Sequence, residues 1–343
     1  MDAHPPTTST RPASSPRDSY AGLTPPKVLD ALEQVGLYGD GRLLQLNSYE
    51  NRVFLLHLED GSAVVAKFYR PGRWSRQQIL EEHALVRELA DDEVPAVPPL
   101  ALPDGGTLGS VRLGDGVDML FSISARHAGR APELEDDQTL RWLGRFIARL
   151  HVVGGRRPFE HRLTLSPATW GRRAQALLLD SPWLDEPQRR PWAAACEAAL
   201  QAVEGAFAAA ADVPRLRLHG DCHPGNVLWR EAEGPHFVDF DDACTGPAVH
   251  DLWMLASPGD PVQWAALLDG YTQIRPLSQR ELTLVEPLRT LRMVHHAGWL
   301  AARWDDPAFP AAFPWFGTPA YWSQQTQQLQ EQLEAMSAPP VAP

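Results

Sequence analysis

The chain has no apolar run of membrane-spanning length and no basic-then-apolar opening stretch. Neither a spanning helix nor a secretory leader is expected. Only three cysteines occur, Cys196, Cys222 and Cys244. That is no disulfide framework, and a reducing cytoplasm fits. Basic charge is in deficit. A net charge of -12 argues against a general nucleic-acid binder, which would carry a basic excess. It leaves room for a phosphate ligand, because one lysine and a metal ion handle phosphates locally. No internal repeat is visible. What is present is enough apolar material: 343 residues, 44% of them hydrophobic, allow a sizeable core and two or three domains.

Residues 1–22 are rich in Ser, Thr and Pro. They bury too little apolar surface to offset ordering and are expected to form a disordered tail whose hydroxyls could accept phosphate. Thr24-Pro25 reads as an N-cap followed by a first-turn proline, opening a helix through Val28, Leu32 and Val35. Residues 43–68 then alternate as strands, with Asp60-Gly61 as a hairpin turn and Lys67 closing an apolar run. Ser75 to Gln78 spell a capping box ahead of Ile79, Leu85, Val86 and Leu89, with Glu81 and Glu82 inside that helix. Strands are expected at 107–113 and 117–123. Helices are expected around 140–154, 191–210, 262–271, 281–304 (kinked at Pro287) and 319–336, with a frayed end at 337–343.

The chemistry concentrates in residues 218–251. Two short apolar runs, 226–229 and 236–240, flank a turn and read as a β-hairpin. Asp221 and Asn226 stand at the mouth of one strand, and Asp239 at the end of the other. Mg²⁺ takes few protein oxygens and leaves its other positions to phosphate and water. Asn226 and Asp239 could supply a neutral and a charged oxygen. Asp221, in the spacing H-x-D-x-x-x-x-N, could accept a hydroxyl proton. Such a base and metal pair aligns an acceptor oxygen with a γ-phosphate.

Several neighbours carry two readings. His219 and His223 flank Asp221 as H-x-D-x-H, a weak transition-metal pattern, and His219 reads better as a brace for the loop. Cys222 reads as a small buried thiol ahead of a redox switch. Asp251 could be an N-cap. Asp241 and Asp242 read as solvated or as outer neighbours of the metal. Arg70, Arg73 and Arg76 read as a solvated basic edge. Trp299, Trp304, Phe309, Phe313, Trp315 and Phe316 read as packing. The acidic balance would favour neutral or basic acceptors at long range.

The strings HGDCHPGNVLWR (219–230) and FVDFDDACTGPAVHDLWM (237–254) resemble the catalytic segment of the aminoglycoside-phosphotransferase-like kinases. Within that group they look most like a bacterial branch of Ser/Thr protein kinases. The resemblance extends to residues 47–53, 65–71 and 79–83 and spans about 26–322. It implies an α+β, two-lobed protein-kinase-like fold: a strand-rich, nucleotide-binding N-lobe over 23–127 and a helical C-lobe over 128–336, with ATP and Mg²⁺ between them. It implies Asp221 as base, Asn226 and Asp239 on the metal, Lys67 on the phosphates, and Glu82 (with Glu81 as the alternative) on Lys67. Ser48 falls in the loop over the phosphates, which has no G-x-G-x-x-G. Backbone groups of 124–129 would hold adenine, and Asp251 would anchor the catalytic loop. The implied reaction moves a γ-phosphoryl group to a Ser or Thr hydroxyl of a protein, the chain's own tail included, in a stress response. A cytoplasmic monomer without nucleic-acid or membrane partners is expected. A small-molecule kinase for an aminoglycoside, choline or similar alcohol stays open. So does a pseudokinase, which the complete residue set disfavours. An A-P-E segment is missing, and Asp-Phe-Asp replaces D-F-G, so activation-loop control of the eukaryotic kind is not implied.

Overall fold

Period-two alternation in the first part of the chain builds one antiparallel sheet, and 3.6-residue periodicity in the rest builds helices. The computed structural model describes residues 20, 22–114, 116–231, 233–256 and 260–338. Helix α1 (Pro25–Glu33) precedes β1 (Gly39–Leu46), β2 (Arg52–Leu58) and β3 (Ala63–Phe68). Helix α2 (Arg76–Asp91) then crosses to β4 (Gly109–Arg112) and β5 (Asp118–Ala125). The strand order is β1-β2-β3-β5-β4, antiparallel throughout. Gly61 takes φ +83° at the β2–β3 turn, the left-handed position glycine tolerates. In β3, Val64, Ala66 and Phe68 bury one face against α1, together with Leu32, Phe54, Phe121 and Ile123. Lys67, inside the strand rather than after it, points to the other face.

Helix α2 opens on the expected box: Gln78 N–H donates to the Ser75 hydroxyl at 3.3 Å, and Ser75 N–H donates to Gln78 Oε1 at 2.9 Å. Its Leu85, Val86 and Leu89 belong to the larger, helical core. The helix therefore joins sheet to helices and leaves Glu82 at the seam.

That larger part runs α3 (Asp137–Gly154), α4 (Arg173–Asp180), α5 (Glu186–Ala209), β6 (Leu216–Leu218), β7 (Val227–Arg230), β8 (Gly234–Phe237) and β9 (Cys244–Gly246). It continues with α6 (Val249–Trp253), α7 (Pro261–Thr272), α8 (Gln279–Leu282), α9 (Val285–Arg303), α10 (Ala308–Ala312) and α11 (Pro319–Ser337). α3 and α7 meet backbone to backbone: a Cβ on Gly144 would strike the Leu267 carbonyl, and one on Gly270 the Arg141 carbonyl. α5 packs on α11 through Trp192 and Trp322, with ring centroids 5.8 Å apart. Among the described residues no helix is long and apolar enough to cross a membrane.

Some boundaries differ from expectation. The proposed tail falls mostly outside the described residues, but Tyr20 is buried, donates to the Glu50 carbonyl at 2.8 Å and lies under the Arg52 guanidinium. Thr24 occupies the N-cap without a side-chain capping bond. The proline that opens α5 is Pro187, and Pro191 lies inside the helix. Pro287 does not kink α9. It sits in the first turn, where the missing N–H has no intrahelical partner to lose. A single turn of π-helix, Pro167–Arg172, runs into α4 without any expected signal.

Candidate active site

The loop after β6 is held from below. Asp251, inside α6 rather than at its N-cap, accepts from His219 N–H at 2.8 Å and Gly220 N–H at 2.9 Å. His151 Nε2 lies 3.1 Å from the same carboxylate. Burial works against the Asp251 charge, yet the histidines around it hold its pKa below the usual value. His219 braces the loop on two sides: Nε2 donates to the Val238 carbonyl at 2.9 Å, and Nδ1 accepts from Asp221 N–H at 3.3 Å. Gly220 adopts φ +85°, and a Cβ there would collide with the Asp242 carbonyl. Only glycine allows that approach, which brings Asp221 beside residues 239–242.

The ribbon β7–β8 pairs Val227 with Phe237. Asn226 lies just before it in a 3₁₀ turn, and Asp239 just beyond its end. Asn226 Nδ2 donates to the Asp221 carbonyl at 2.9 Å, which leaves its Oδ1 turned away from Asp221. The Asp221 carboxylate has Asn226 Nδ2 at 3.5 Å and His223 Nε2 at 3.6 Å from Oδ2, and Arg292 Nη2 at 2.6 Å from Oδ1. Asp239 has φ 59° and ψ 61°, a left-handed conformation uncommon outside glycine. That turn throws its carboxylate out of the ribbon, 51% exposed.

Lys67 reaches the same place from the sheet. Its Nζ lies 3.5 Å from Glu82 Oε1, 3.2 Å from Asp239 Oδ1 and 3.6 Å from Asp241 Oδ1. Burial opposes the ammonium charge, but the three carboxylates outweigh it and raise the lysine pKa well above the ordinary value. Glu82 also binds Arg162 Nη2 through Oε2, at 2.7 Å. Glu81 faces elsewhere, accepting from the backbone N–H groups of Glu160, His161 and Arg162 at 2.6, 2.8 and 2.8 Å. So Glu82 faces Lys67, and Glu81 holds the segment that delivers Arg162.

The reading of a solvated basic edge is corrected here. Arg70 and Arg73 are each only 10% exposed. Arg73 pairs with Asp241 and, at 2.5 Å, with Asp242. Arg70 pairs with Glu50 at 3.1 Å and Asp306 at 2.7 Å, and Arg76 donates to the Leu108 carbonyl at 3.2 Å. Asp241 is likewise buried rather than solvated. Burial disfavours its charge, but Arg73, Lys67 and Arg162 prevail and hold it well below the usual carboxylate range.

The loop 47–52, with half-buried Ser48, is fixed without glycine. Arg70 donates to the Tyr49 and Glu50 carbonyls, both at 3.0 Å, and Arg70 N–H donates to Asn51 Oδ1 at 3.1 Å. Glu50 Oε2 accepts from Trp299 Nε1 at 2.6 Å and pairs with Arg303. The Tyr49 ring sits 5.0 Å from Phe313. The aromatic cluster of α9 and α10 is thus the seat of this loop as well as core packing. Beyond β5, Gly129 presses on the Leu228 backbone, so residues 124–129 run against the ribbon. Cys222 is buried, and burial pushes its thiol well up, so the thiolate is disfavoured. Arg162 and Arg292 carried no signal in the sequence. Each acts across a gap that spacing does not span.

Comparison with known proteins gives a consistent result. Residues 42–280 match the family described as the phosphotransferase enzyme family. The chain is 39% identical over 327 residues to the serine/threonine protein kinase RdoA of Salmonella typhimurium, covering 94% of this chain and 96% of that protein. It is 38% identical to stress response kinase A of Escherichia coli K12 over the same shares. The solved structure of the amicoumacin kinase hAmiN in complex with AMP-PNP, Ca²⁺ and Ami superposes with a TM-score of 0.68 at 18% identity, over 91% of this chain and 93% of that one. At that identity the likeness shows the fold, the two-lobed α+β kinase-like architecture.

Proposed function

The chain belongs to the phosphotransferase enzyme family, and from that premise we propose that it is an ATP- and Mg²⁺-dependent Ser/Thr protein kinase of a bacterial stress response. One observation carries the reading. Lys67 Nζ lies within 3.5 Å of both Glu82 and Asp239, and Asp239 borders the loop that holds Asp221 and Asn226. The names of the relatives at 38–39% identity support the protein acceptor and the stress role.

In this reading residues 23–127 bind nucleotide, and 128–336 supply catalysis and acceptor binding. The donor set fits Mg²⁺: a carboxylate thrown clear of its ribbon and a neutral amide oxygen leave most positions to phosphate and water. Asn226 and Asp239 would hold the ion, which, when bound, offsets charge on the phosphate oxygens. Lys67 positions the α- and β-phosphates, and Glu82 positions Lys67. The loop 47–52, Ser48 included, covers the phosphates. The acceptor hydroxyl bonds to the γ-phosphorus, the bond from phosphorus to ADP breaks, and Asp221 receives the proton. Positioning and charge stabilisation supply most of the rate.

Purified protein is incubated with labelled ATP, Mg²⁺ and dephosphorylated bacterial lysate, with Asp221→Asn as the control, and phosphate is located by mass spectrometry. Phosphoserine or phosphothreonine that depends on Asp221 is the expected result. Rapid labelling of choline or an aminoglycoside, with none on protein, would overturn the protein acceptor. No transfer to anything would overturn the kinase reading.

A further inference from the structure

The Asp221 carboxylate is not open on both sides. Its Oδ1 is buried, and Arg292 Nη2 of α9 lies 2.6 Å away. Oδ2 is therefore the oxygen left to take a proton. The two histidines that follow Arg292 on α9 carry no competing charge at neutral pH. His295 stacks on Trp170 with centroids 4.4 Å apart, and His296 stacks on Trp299 at 5.6 Å. Burial lowers both imidazoles to about 4, so both are neutral at pH 7.

The three neighbouring carboxylates share two cations, Lys67 and Arg73. Asp239 has Lys67 at 3.2 Å, Asp241 has Arg73 and Lys67, and Asp242 has Arg73 at 2.5 Å. A cation arriving with the acceptor would thus meet Arg292 and find these carboxylates engaged. The whole-chain charge of -12 pulls the other way, but it is screened over about 8 Å, whereas Arg292 stands at the base itself. Contact decides over distance.

We infer that Arg292 is a specificity-determining residue: it selects hydroxyl acceptors with neutral or acidic surroundings against cationic ones, and it leaves Asp221 Oδ2 to receive the proton. This rests on the kinase reading above and adds its acceptor class. In the transfer the acceptor O–H bond breaks and its proton passes to Oδ2. The acceptor oxygen bonds to the γ-phosphorus, and the bridging oxygen leaves with ADP and the electron pair. Arg292 makes and breaks no bond. It holds the carboxylate's other oxygen and sets the charge the acceptor must match.

The test uses the full chain with MgATP and three serine peptides of one sequence, flanked by two Ala, two Glu or two Lys, together with choline. The wild type should prefer the Glu-flanked over the Lys-flanked peptide, mostly through KM, and should leave choline unlabelled. Arg292→Ala should shrink that preference about tenfold, the scale of one like-charge contact at short range. Arg292→Lys should restore it. Should Arg292→Ala fail to fold, Arg292→Gln replaces it in the same assay. An unchanged preference ratio in the neutral variant, or an equal fall in kcat for every acceptor, would overturn the inference while leaving the kinase reading intact. No transfer by the wild type to any acceptor would overturn both.

Discussion

Arg162 donates to Glu82 Oε2 at 2.7 Å, on the carboxylate oxygen that Lys67 does not use. One glutamate therefore serves two cations, one from β3 and one from the segment after α3. Deleting either cation leaves the other bond in place; deleting Glu82 takes a partner from both, leaving Lys67 with Asp239 and Asp241 and Arg162 with the Asp241 carbonyl. Lys67→Met and Glu82→Gln should be strongly non-additive in transfer rate, with a coupling of roughly 0.5–3 kcal/mol. Arg162→Met should cost about 1–3 kcal/mol of stability, because its side chain is fully buried and Glu82 Oε2 would lose its partner while Oε1 keeps Lys67. Additive rates in the cycle, or an unchanged urea midpoint for Arg162→Met, would contradict this arrangement.

Asp221→Asn should keep nucleotide affinity and lose about 10²–10⁴-fold in turnover, the usual scale for removing a positioned base. Single-turnover kinetics, alongside nucleotide titration, separate the two effects. Full turnover by the variant would remove Asp221 from the chemistry.

Asp239→Asn and Asn226→Ala should weaken ATP binding only when Mg²⁺ is present. Titrating nucleotide with and without the metal is the measurement. A metal dependence identical to wild type in both variants would refute their assignment as ligands.

Helix α2 contains a buried histidine that should tie stability to pH. His83 meets the Tyr69 hydroxyl at 2.8 Å and the Thr107 hydroxyl at 2.7 Å, and burial lowers it from 6.5 to about 3. The folded protein keeps it neutral, while the unfolded chain takes up a proton below about 6.5. Its contribution is therefore complete above that pH and is lost as pH falls toward 3. The slope is about 1.4 kcal/mol per pH unit. Between pH 7 and 5 the wild type should lose about 2 kcal/mol more than His83→Gln, as read from urea unfolding. Equal losses would dismiss the histidine as the cause.

The sequence makes local chemistry legible and leaves long-range pairing hidden. The spacing of Asp221 and Asn226, the box at Ser75 and the Asp60-Gly61 turn all depend on residues a few positions apart. Their geometry follows from φ/ψ preferences that a string displays. Arg73 met Asp241, and Arg292 met Asp221, only once two elements had packed. A basic residue beside a strand looks solvated until that happens, which is why the sequence alone presents Arg70 and Arg73 as a solvated edge. Prolines were ambiguous for a related reason. Pro287 breaks a helix only if residues before it are already helical, and α9 begins at Val285.

The bond from Glu50 to Trp299 bears on how product escapes. A glycine-rich flap can lift from a spent nucleotide by itself, with the rest of the enzyme at rest. Here the corresponding loop is clamped by Arg70 and bolted through Glu50 to the far side of the cleft. With the loop over the phosphates, as proposed above, ADP release would require those bonds to break as the sheet swings away from the helices. Turnover should then slow with solvent viscosity, as a door does in syrup, and mutations that loosen the bolt should quicken release while blurring the aim of the phosphate.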